Sequence, residues 1–438
     1  MLEVLNTLLW GPGTLALILG TGAWLTLRTG GFPQRNLGRA LTLSLGREAR
    51  RKGRGGVSPF GSLMTALAST VGTGNIVGVA AALVSGGPGA LVWMELAALL
   101  GLAAKFAECM LAVKYRRVRR DGTRWGGPMA VMETRLGSAG AVLGRFYALF
   151  ALLMAFAMGA MAQSGALADT FFAAFTLPRW RVGLVTAVLA LAILLGGIRR
   201  IAEISTVLVP VMALLYLGGG LAVILGNLRR LPEALILMLR CAVAPEAALG
   251  GALGIVTRRE ALRWGVARSV FSNEAGLGSA AITAACADTE DPVKQGLISM
   301  TGVFFDTMVI CTVTGLAICC SGTLGAADGN GLPLTGAALT LRAFETVLGP
   351  LAPWLIGAAL GLFAFTSVLG CAVQAEATAS YLLGPEAVRP CRVLYGLAVF
   401  VGAVIPMATV LQLADLANAL MAFPNLVCLL LLSGEIAG

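Results

Sequence analysis

The sequence predicts an all-α integral membrane protein of about eleven spanning helices. Three observations carry that reading. Of 438 residues, 58% are hydrophobic and only 12% charged, where a soluble domain carries roughly 25% charged residues. Mean hydropathy is +0.86. Apolar stretches near the ~20 residues that a spanning helix needs recur along the chain, at 6–27, 59–84, 88–113, 143–172, 180–197, 201–226, 232–257, 293–320, 350–383, 391–408 and 410–433. Only a bilayer accepts that much apolar surface.

No basic residue precedes the first stretch, Asn6 to Leu27. It lacks the charged opening of a cleaved signal peptide, so it reads as a retained helix. The loop from Arg28 to Arg54 then holds eight basic residues and one acid, Glu48, and Lys114 to Arg124 holds six basic residues. Basic loops stay on the cytoplasmic side. With the N-terminus outside and the C-terminus cytoplasmic, 25 basic residues fall inside and 6 outside, with Lys105 in a helix. The net charge of +10 therefore reads as membrane orientation, and the expected location is the plasma (inner) membrane.

With the first helix set aside, ten stretches remain. They divide into two sets of five whose first members point in opposite directions. That is the inverted-repeat plan of many secondary transporters. The expected organisation is an N-terminal helix and basic loop (1–58), a first five-helix repeat (59–226) and a second (227–438).

The first member of each set carries a disruption. Ser69-Thr70-Val71-Gly72-Thr73-Gly74-Asn75 interrupts an apolar run. Glycine weakens a helix by nearly 1 kcal/mol relative to Ala, and polar side chains at this depth need partners that lipid does not offer. Amides freed at a half-helix N-terminus suit a carboxylate, and loose carbonyls suit Na⁺. Tight packing of small residues is the structural alternative. The counterpart break is expected at Ala244 to Gly254, around Gly250 and Gly251, where Pro245 lacks a donor. A rival is Ser272-Asn273-Glu274-Ala275-Gly276-Leu277-Gly278-Ser279. Arg258, Arg259, Arg263 and Arg268 lie between the two and argue that the rival is a cytoplasmic loop.

Gln163 lies deep in its stretch and can donate to a carboxylate or accept from an ammonium. Thr366 and Ser367 place two hydroxyls side by side at mid-depth. They suit a hard cation, or they bond back to their own helix. Buried ionisable residues mark functional positions by default. Lys105 and Glu108 are spaced to pair; Asp306 and Asp415 lie deeper, and two readings stand for each, holding a helix in place or tuning a cation site. The nine Cys lie mostly in apolar runs and form no CxxC pair, so they read as small packing side chains. Histidine is absent, and with it the commonest metal ligand and general base. No nucleophile–base set suggests an enzyme.

At these residues the chain resembles the alanine or glycine:cation symporters, the sodium:alanine symporter family. The resemblance rests on Gly72-Thr73-Gly74-Asn75-Ile76-Val77-Gly78-Val79-Ala80, Gly86-Gly87-Pro88-Gly89-Ala90, Lys105-Phe106-Ala107-Glu108, Gly126-Gly127-Pro128-Met129, Phe271 to Ser279 and Met421-Ala422-Phe423-Pro424-Asn425-Leu426. It implies the leucine-transporter-type five-plus-five fold with an extra helix, Na⁺ or H⁺ coupling, and small neutral amino acids as cargo. By that resemblance Thr73, Gly74, Asn75 and Gln163 contact substrate, and Thr366 and Ser367 stand at a hydroxyl pair implicated in substrate or Na⁺ contact. Cys371 replaces a Trp common in the family, and Glu95 and Val92 replace Trp and Phe. A larger pocket, open to side chains bigger than alanine, is expected at Cys371.

The expected function is Na⁺-coupled symport of a small neutral amino acid in the lipid bilayer. Substrate contacts are expected from Thr73, Gly74, Asn75, Gln163, Gly250, Gly251, Ser367 and Cys371, and Na⁺ contacts from Gly72, Thr366 and Ser367. The alternatives are a proton-coupled transporter of the same fold and a nontransporting membrane sensor.

Overall fold

The computed structural model describes residues 6, 9–51, 57–118, 122–243, 246–248, 255–327 and 331–437. Its principal helices, in chain order, begin with α1 (Pro12–Arg28), α2 (Pro59–Thr70), α3 (Val77–Gly86) and α4 (Gly89–Lys114). Then come α5 (Pro128–Met154), α6 (Gln163–Phe175), α7 (Arg179–Leu194), α8 (Gly197–Gly226) and α9 (Leu231–Val243). Next are α10 (Arg258–Asn273), α11 (Ser279–Ala285), α12 (Pro292–Val303) and α13 (Thr312–Ser321). The last four are α14 (Gly336–Leu348), α15 (Ala352–Leu383), α16 (Val388–Val404) and α17 (Met407–Leu431). Wider π turns join α5 to α6 (Ala155–Ala162) and α12 to α13 (Phe304–Cys311). Two short antiparallel hairpins complete the described fold.

Among the described residues, seven helical stretches are long and apolar enough to cross a bilayer, or eight counting the bent pair α2–α3. Local signals set their ends. Ser58 caps α2 by accepting from the Gly61 amide at 3.0 Å, with Pro59 at the first helical position. Asp291 and Pro292 do the same for α12. Proline there forgoes a donor that has no partner anyway.

Two large apolar clusters hold the helices together. One gathers Leu102, Phe106, Met129, Tyr147, Leu277 and Met421 from α4, α5, α17 and the α10–α11 link. The other gathers Leu67, Val79, Met212, Tyr216, Phe344 and Phe363 from α2, α3, α8, α14 and α15. Large side chains such as Val185, Val188, Leu214, Leu225 and Leu394 point outward. An apolar exterior on this scale is lipid-facing.

Two expectations need correction. The apolar stretch 232–257 was expected to span. Its described helix is α9, 13 residues, or ~20 Å at 1.5 Å per residue, which is too short, and Glu246–Ala248 and Ile255–Thr257 pair as antiparallel strands. The four arginines were expected on the cytoplasmic side. They lie on α10, whose Glu260 carbonyl and Trp264 pack on Gly86, at the α3–α4 turn. That is the end of α4 opposite the Lys114–Arg124 loop. Moving four arginines across leaves 21 basic residues against 10, so the sign of the asymmetry survives.

Close helix approach fixes the centre. A Cβ on Gly370 of α15 would lie 2.4 Å from the Ser69 amide nitrogen of α2, so backbone meets backbone where α2 ends. Gly370→Ala is expected to lower the melting temperature of the purified protein by several degrees or abolish folded yield. Gly357→Ala, on the same helix with nothing within 4 Å of its Cβ position, should leave it unchanged or slightly raised.

Candidate functional site

The first break is real and local. The ladder of α2 ends at Val71, Gly72 is extended (φ −135°, ψ −160°), and a single tight turn, Thr73–Asn75, leads into α3. The two half-helices bend by 62°. The Gly72 amide is caught by Asn75 Oδ1 at 3.0 Å. Among the described residues, no backbone carbonyl accepts from the Thr73 and Gly74 amides.

A second break lies beside it, between α10 and α11. Glu274 (φ 52°), Gly276 (φ 84°) and Gly278 (φ 80°) adopt left-handed backbone, which no continuous helix tolerates. The freed groups are stitched by buried charge. Glu108 Oε2 accepts from the Gly276 amide (3.1 Å), the Gly278 amide (3.0 Å) and Asn425 Nδ2 (3.2 Å). Lys105 Nζ donates to the Glu274 carbonyl at 3.0 Å and sits 3.4 Å from Glu108 Oε1. The Lys105–Glu108 pair is thus the support of an unwound strand. The stretch Ser272 to Ser279, read from sequence as a rival cytoplasmic loop, is this break, packed beside the first one. Gly250 and Gly251 lie outside the described residues.

Asn75 joins the two breaks. Its side chain is fully buried, and Nδ2 reaches Ser272 Oγ (3.1 Å) and Asp306 Oδ1 (2.8 Å). Asp306 sits in the π turn and also accepts from Ser272 Oγ (2.5 Å) and Thr307 Oγ1 (2.9 Å). Asn75 is therefore a cross-brace with a buried carboxylate behind it, and it does not face the pocket.

The pocket itself is small and enclosed. Ser69, Thr70, Gly72 and Gly74 line it from the first break, with Met158 and Gln163 from the α5–α6 region. Phe271 and Glu274 line it from the second break, Cys371 from α15 and Asn418 from α17. Thr73 Oγ1 donates to Gln163 Oε1 at 3.3 Å. Ser367 Oγ donates to the Val71 carbonyl at 3.5 Å, and a Cβ on Gly72 would meet that Oγ at 2.7 Å. So Gly72, Thr73, Gly74, Gln163, Ser367 and Cys371 converge. Thr366 does not. Its hydroxyl bonds back to the Leu362 and Phe363 carbonyls and touches Met212 Sδ on α8. Neighbouring positions on a helix face different sides, so only one hydroxyl of the pair reaches the break.

Sequence reasoning missed Asn418, Glu274, Met158 and Phe271 as pocket walls. Asn418 Oδ1 is buried with no hydrogen-bond partner, an arrangement with a high desolvation cost unless a ligand group completes it. A polar residue within the apolar run of α17 was the available signal. Free space in the pocket is about 10 Å³, on the order of one water position. A ligand larger than water therefore enters only as lining side chains move.

The end of the molecule holding the basic loops is sealed. Val57 bridges Ala287 in parallel, with Asp288 N donating to the Val57 carbonyl at 2.8 Å. Arg124 pairs with Asp288 and, at 2.6 Å, with Glu290. The bridge pins the start of α2 to the α11–α12 link, and Arg124 pins the α4–α5 loop to the same link.

Two interrupted helices crossing at a buried polar pocket, inside an apolar-surfaced helical body, define a polytopic membrane transporter. The comparisons with known proteins particularise this. The family model "Sodium:alanine symporter family" matches residues 1–438. The chain is 44% identical over 432 residues to an "Uncharacterized transporter" of Haemophilus influenzae (98% of this chain, 92% of that protein). It is 41% identical over 438 residues to the "Sodium/alanine symporter AgcS" of Methanococcus maripaludis (100% and 95%). It is 36% identical over 435 residues to the "Probable sodium/glutamine symporter GlnT" of Bacillus subtilis (98% and 87%). Among solved structures, an Eremococcus coleocola manganese transporter matches with TM-score 0.53 and 14% identity, covering 84% of this chain and 75% of that one; this likeness concerns the fold alone. The chain belongs to the sodium:alanine symporter family, a family of transporters and not of enzymes.

The Glu108 arrangement is directly testable. Glu108→Ala strands a buried ammonium and two amides, a loss of about 3–5 kcal/mol by the behaviour of broken buried pairs. The expected result is a large fall in melting temperature or in monodisperse yield. Glu108→Gln, which keeps an acceptor but loses the charge, should fall between.

Proposed function

We propose that this chain imports a small neutral amino acid across the plasma membrane together with Na⁺. The observation that carries the reading is the meeting of two helix breaks at one enclosed pocket. Backbone atoms freed at mid-membrane need partners, and an ion with a zwitterion supplies them. The names of AgcS and GlnT support sodium and a neutral amino acid as the pair.

In this reading the eleven spanning elements are α1, α2–α3, α4, α5–α6, α7, α8, α10–α11, α12–α13, α15, α16 and α17. The broken pairs open two inverted sets of five behind α1, the N-terminus lies outside and the C-terminus lies in the cytoplasm. The count differs from the sequence expectation only in its seventh member.

The substrate carboxylate meets the Thr73 and Gly74 amides, which have no backbone acceptor and point from a half-helix N-terminus. Its ammonium meets Asn418 Oδ1 and Gln163 Oε1. Na⁺ lies at the carbonyls where α2 ends, near Val71, with Ser367 Oγ. Asp306, behind Asn75, adds negative charge one layer away and favours cation entry. Cation and carboxylate then lower each other's cost of burial, so neither binds well alone. That mutual dependence is what couples the two fluxes.

Uptake into proteoliposomes tests this. Replacing Na⁺ with choline should abolish concentrative uptake of L-alanine or L-glutamine. Uptake that ignores Na⁺ and follows a pH gradient would reject Na⁺ coupling. Gln163→Ala and Ser367→Ala should each lower Na⁺-dependent kcat/KM by roughly tenfold or more, as expected for lost charged-ligand hydrogen bonds. Thr366→Val should stay near wild type, because that hydroxyl serves its own helix. Wild-type transport by both Gln163→Ala and Ser367→Ala would show the pocket is misassigned.

A further inference from the structure

A second cavity lies outward of the pocket, at the α3–α4 end of the molecule. Its volume is about 350 Å³, and Trp10, Arg263, Trp264, Arg268, Phe271 and Asp415 are among its walls. Small-molecule sites begin near ~300 Å³. Phe271 lines this cleft and the inner pocket alike. Its ring packs 3.5 Å from the Cβ position of Gly74, so one side chain separates the two spaces.

The charges in the cleft are incomplete. The Arg268 guanidinium lies between two rings, 5.4 Å from the Trp264 centroid and 5.2 Å from that of Phe271. Among the described residues it has no hydrogen-bond or ion-pair partner within 4 Å. Asp415 offers the one carboxylate of the cleft; Trp10 Nε1 bonds its backbone carbonyl at 3.0 Å and leaves the carboxylate free. Arg268 and Asp415 line the same cleft without touching. Arg263 leaves the lining with an excess of one positive charge, which favours a ligand led by a carboxylate.

The two helices repeat this pairing at one-turn spacing. Arg268 and Phe271 are three apart on α10, and Asp415 and Asn418 are three apart on α17. The outer members face the cleft and the inner members face the pocket. We propose that the outer cleft is a second binding position for a zwitterionic α-amino acid. Its carboxylate rests on Arg268 between the two rings, and its ammonium rests on Asp415. The position takes cargo before Phe271 yields and passes it inward. Stacked guanidinium is rigid and fork-shaped, suited to a carboxylate. The two charges of the zwitterion are each met by a side chain of the cleft, so this position binds without Na⁺. The identity of the cargo rests on the symport reading above; the existence of the site does not.

Trp10 and Trp264 report on it. In the full chain purified into lipid nanodiscs in Na⁺-free choline buffer, tryptophan fluorescence is titrated with the standard amino acids one at a time. At least one should give a saturable change. Arg268→Gln and Asp415→Asn should each weaken it by about tenfold or more. On wild-type protein, propionate and L-alaninamide, which carry one charge each, should bind about tenfold more weakly than the parent amino acid. The double variant Gln163→Ala with Ser367→Ala should keep the signal, because the inner pocket is not read. No saturable change without Na⁺ overturns the proposal. So does unaltered affinity in either outer variant that elutes as folded protein, or equal binding of the single-charge ligands. Loss of the signal in the inner double variant would assign it to the inner pocket and overturn the outer site. Transport by that double variant bears separately on the symport reading.

Discussion

Glu108 accepting from the amides of Gly276 and Gly278 is the contact on which the rest of the structure depends. Each unsatisfied backbone group in an apolar interior costs several kcal/mol, and the second break frees several. A carboxylate buried for that purpose needs its own cation, which Lys105 supplies while also holding the Glu274 carbonyl. Asn425 closes the set from α17 by bonding both Glu108 and the Gly276 carbonyl. Remove the charge pair and the left-handed backbone of Glu274, Gly276 and Gly278 loses its reason to persist. Phe271 and Glu274 then lose their placement in the pocket.

The first break follows a different logic. It is held by neutral groups around one buried carboxylate, through Asn75 to Ser272 and Asp306. Neutral partners are cheaper to separate than a stitched charge pair. This division fits a transporter in which one broken helix serves as a fixed support and the other as a moving gate. The seal at Val57 points the same way. The start of α2 is fastened to the α11–α12 link by a backbone bridge, and the α4–α5 loop is fastened there by Arg124, which pairs with Asp288 and the exposed Glu290. Contacts of that kind contribute little each, so they can open and close repeatedly, whereas the buried Lys105–Glu108 pair cannot.

Much of this was legible before any coordinates. Polar and glycine residues inside an apolar run locate the first break because a helix in lipid has few other reasons to carry them. Gln163 stood out for the same reason. The second break was legible by the same signal, at Ser272 to Ser279, but the arginines upstream pulled it to the cytoplasm. Charge is a good guide to sidedness only where it is free in water. Arg268 is packed between aromatic rings at the other end of α4, so it marks a cleft and not a loop. The stretch 232–257 misled for the opposite reason, since hydropathy counts apolar residues and not whether a helix continues. The direction of a hydroxyl is likewise beyond a linear reading: Thr366 and Ser367 differ by about 100° around α15, and only Ser367 reaches the break.

The Cys371 substitution shows why pocket size does not follow from one residue. Sequence alone suggested a hollow where the family commonly has Trp. In the fold, Cys371 is backed by Gly159 of the π turn, and a Cβ on that glycine would lie 2.2 Å from the Cys371 Cβ. The two positions are matched in size, and the space in front of them is taken by Met158 and Phe271. Methionine is unbranched and refits its surroundings at low cost, while Phe271 is pressed against Gly74 on one side and Arg268 on the other. In the proposed reading, the upper limit on cargo is set by how far Met158 can withdraw. Entry is set by Phe271, whose ring position is coupled to the guanidinium in the outer cleft. In the proposed reading, size is set from the α5–α6 side by Met158 and access by the Phe271 ring, a side chain that can turn while the stitched backbone of the second break stays fixed.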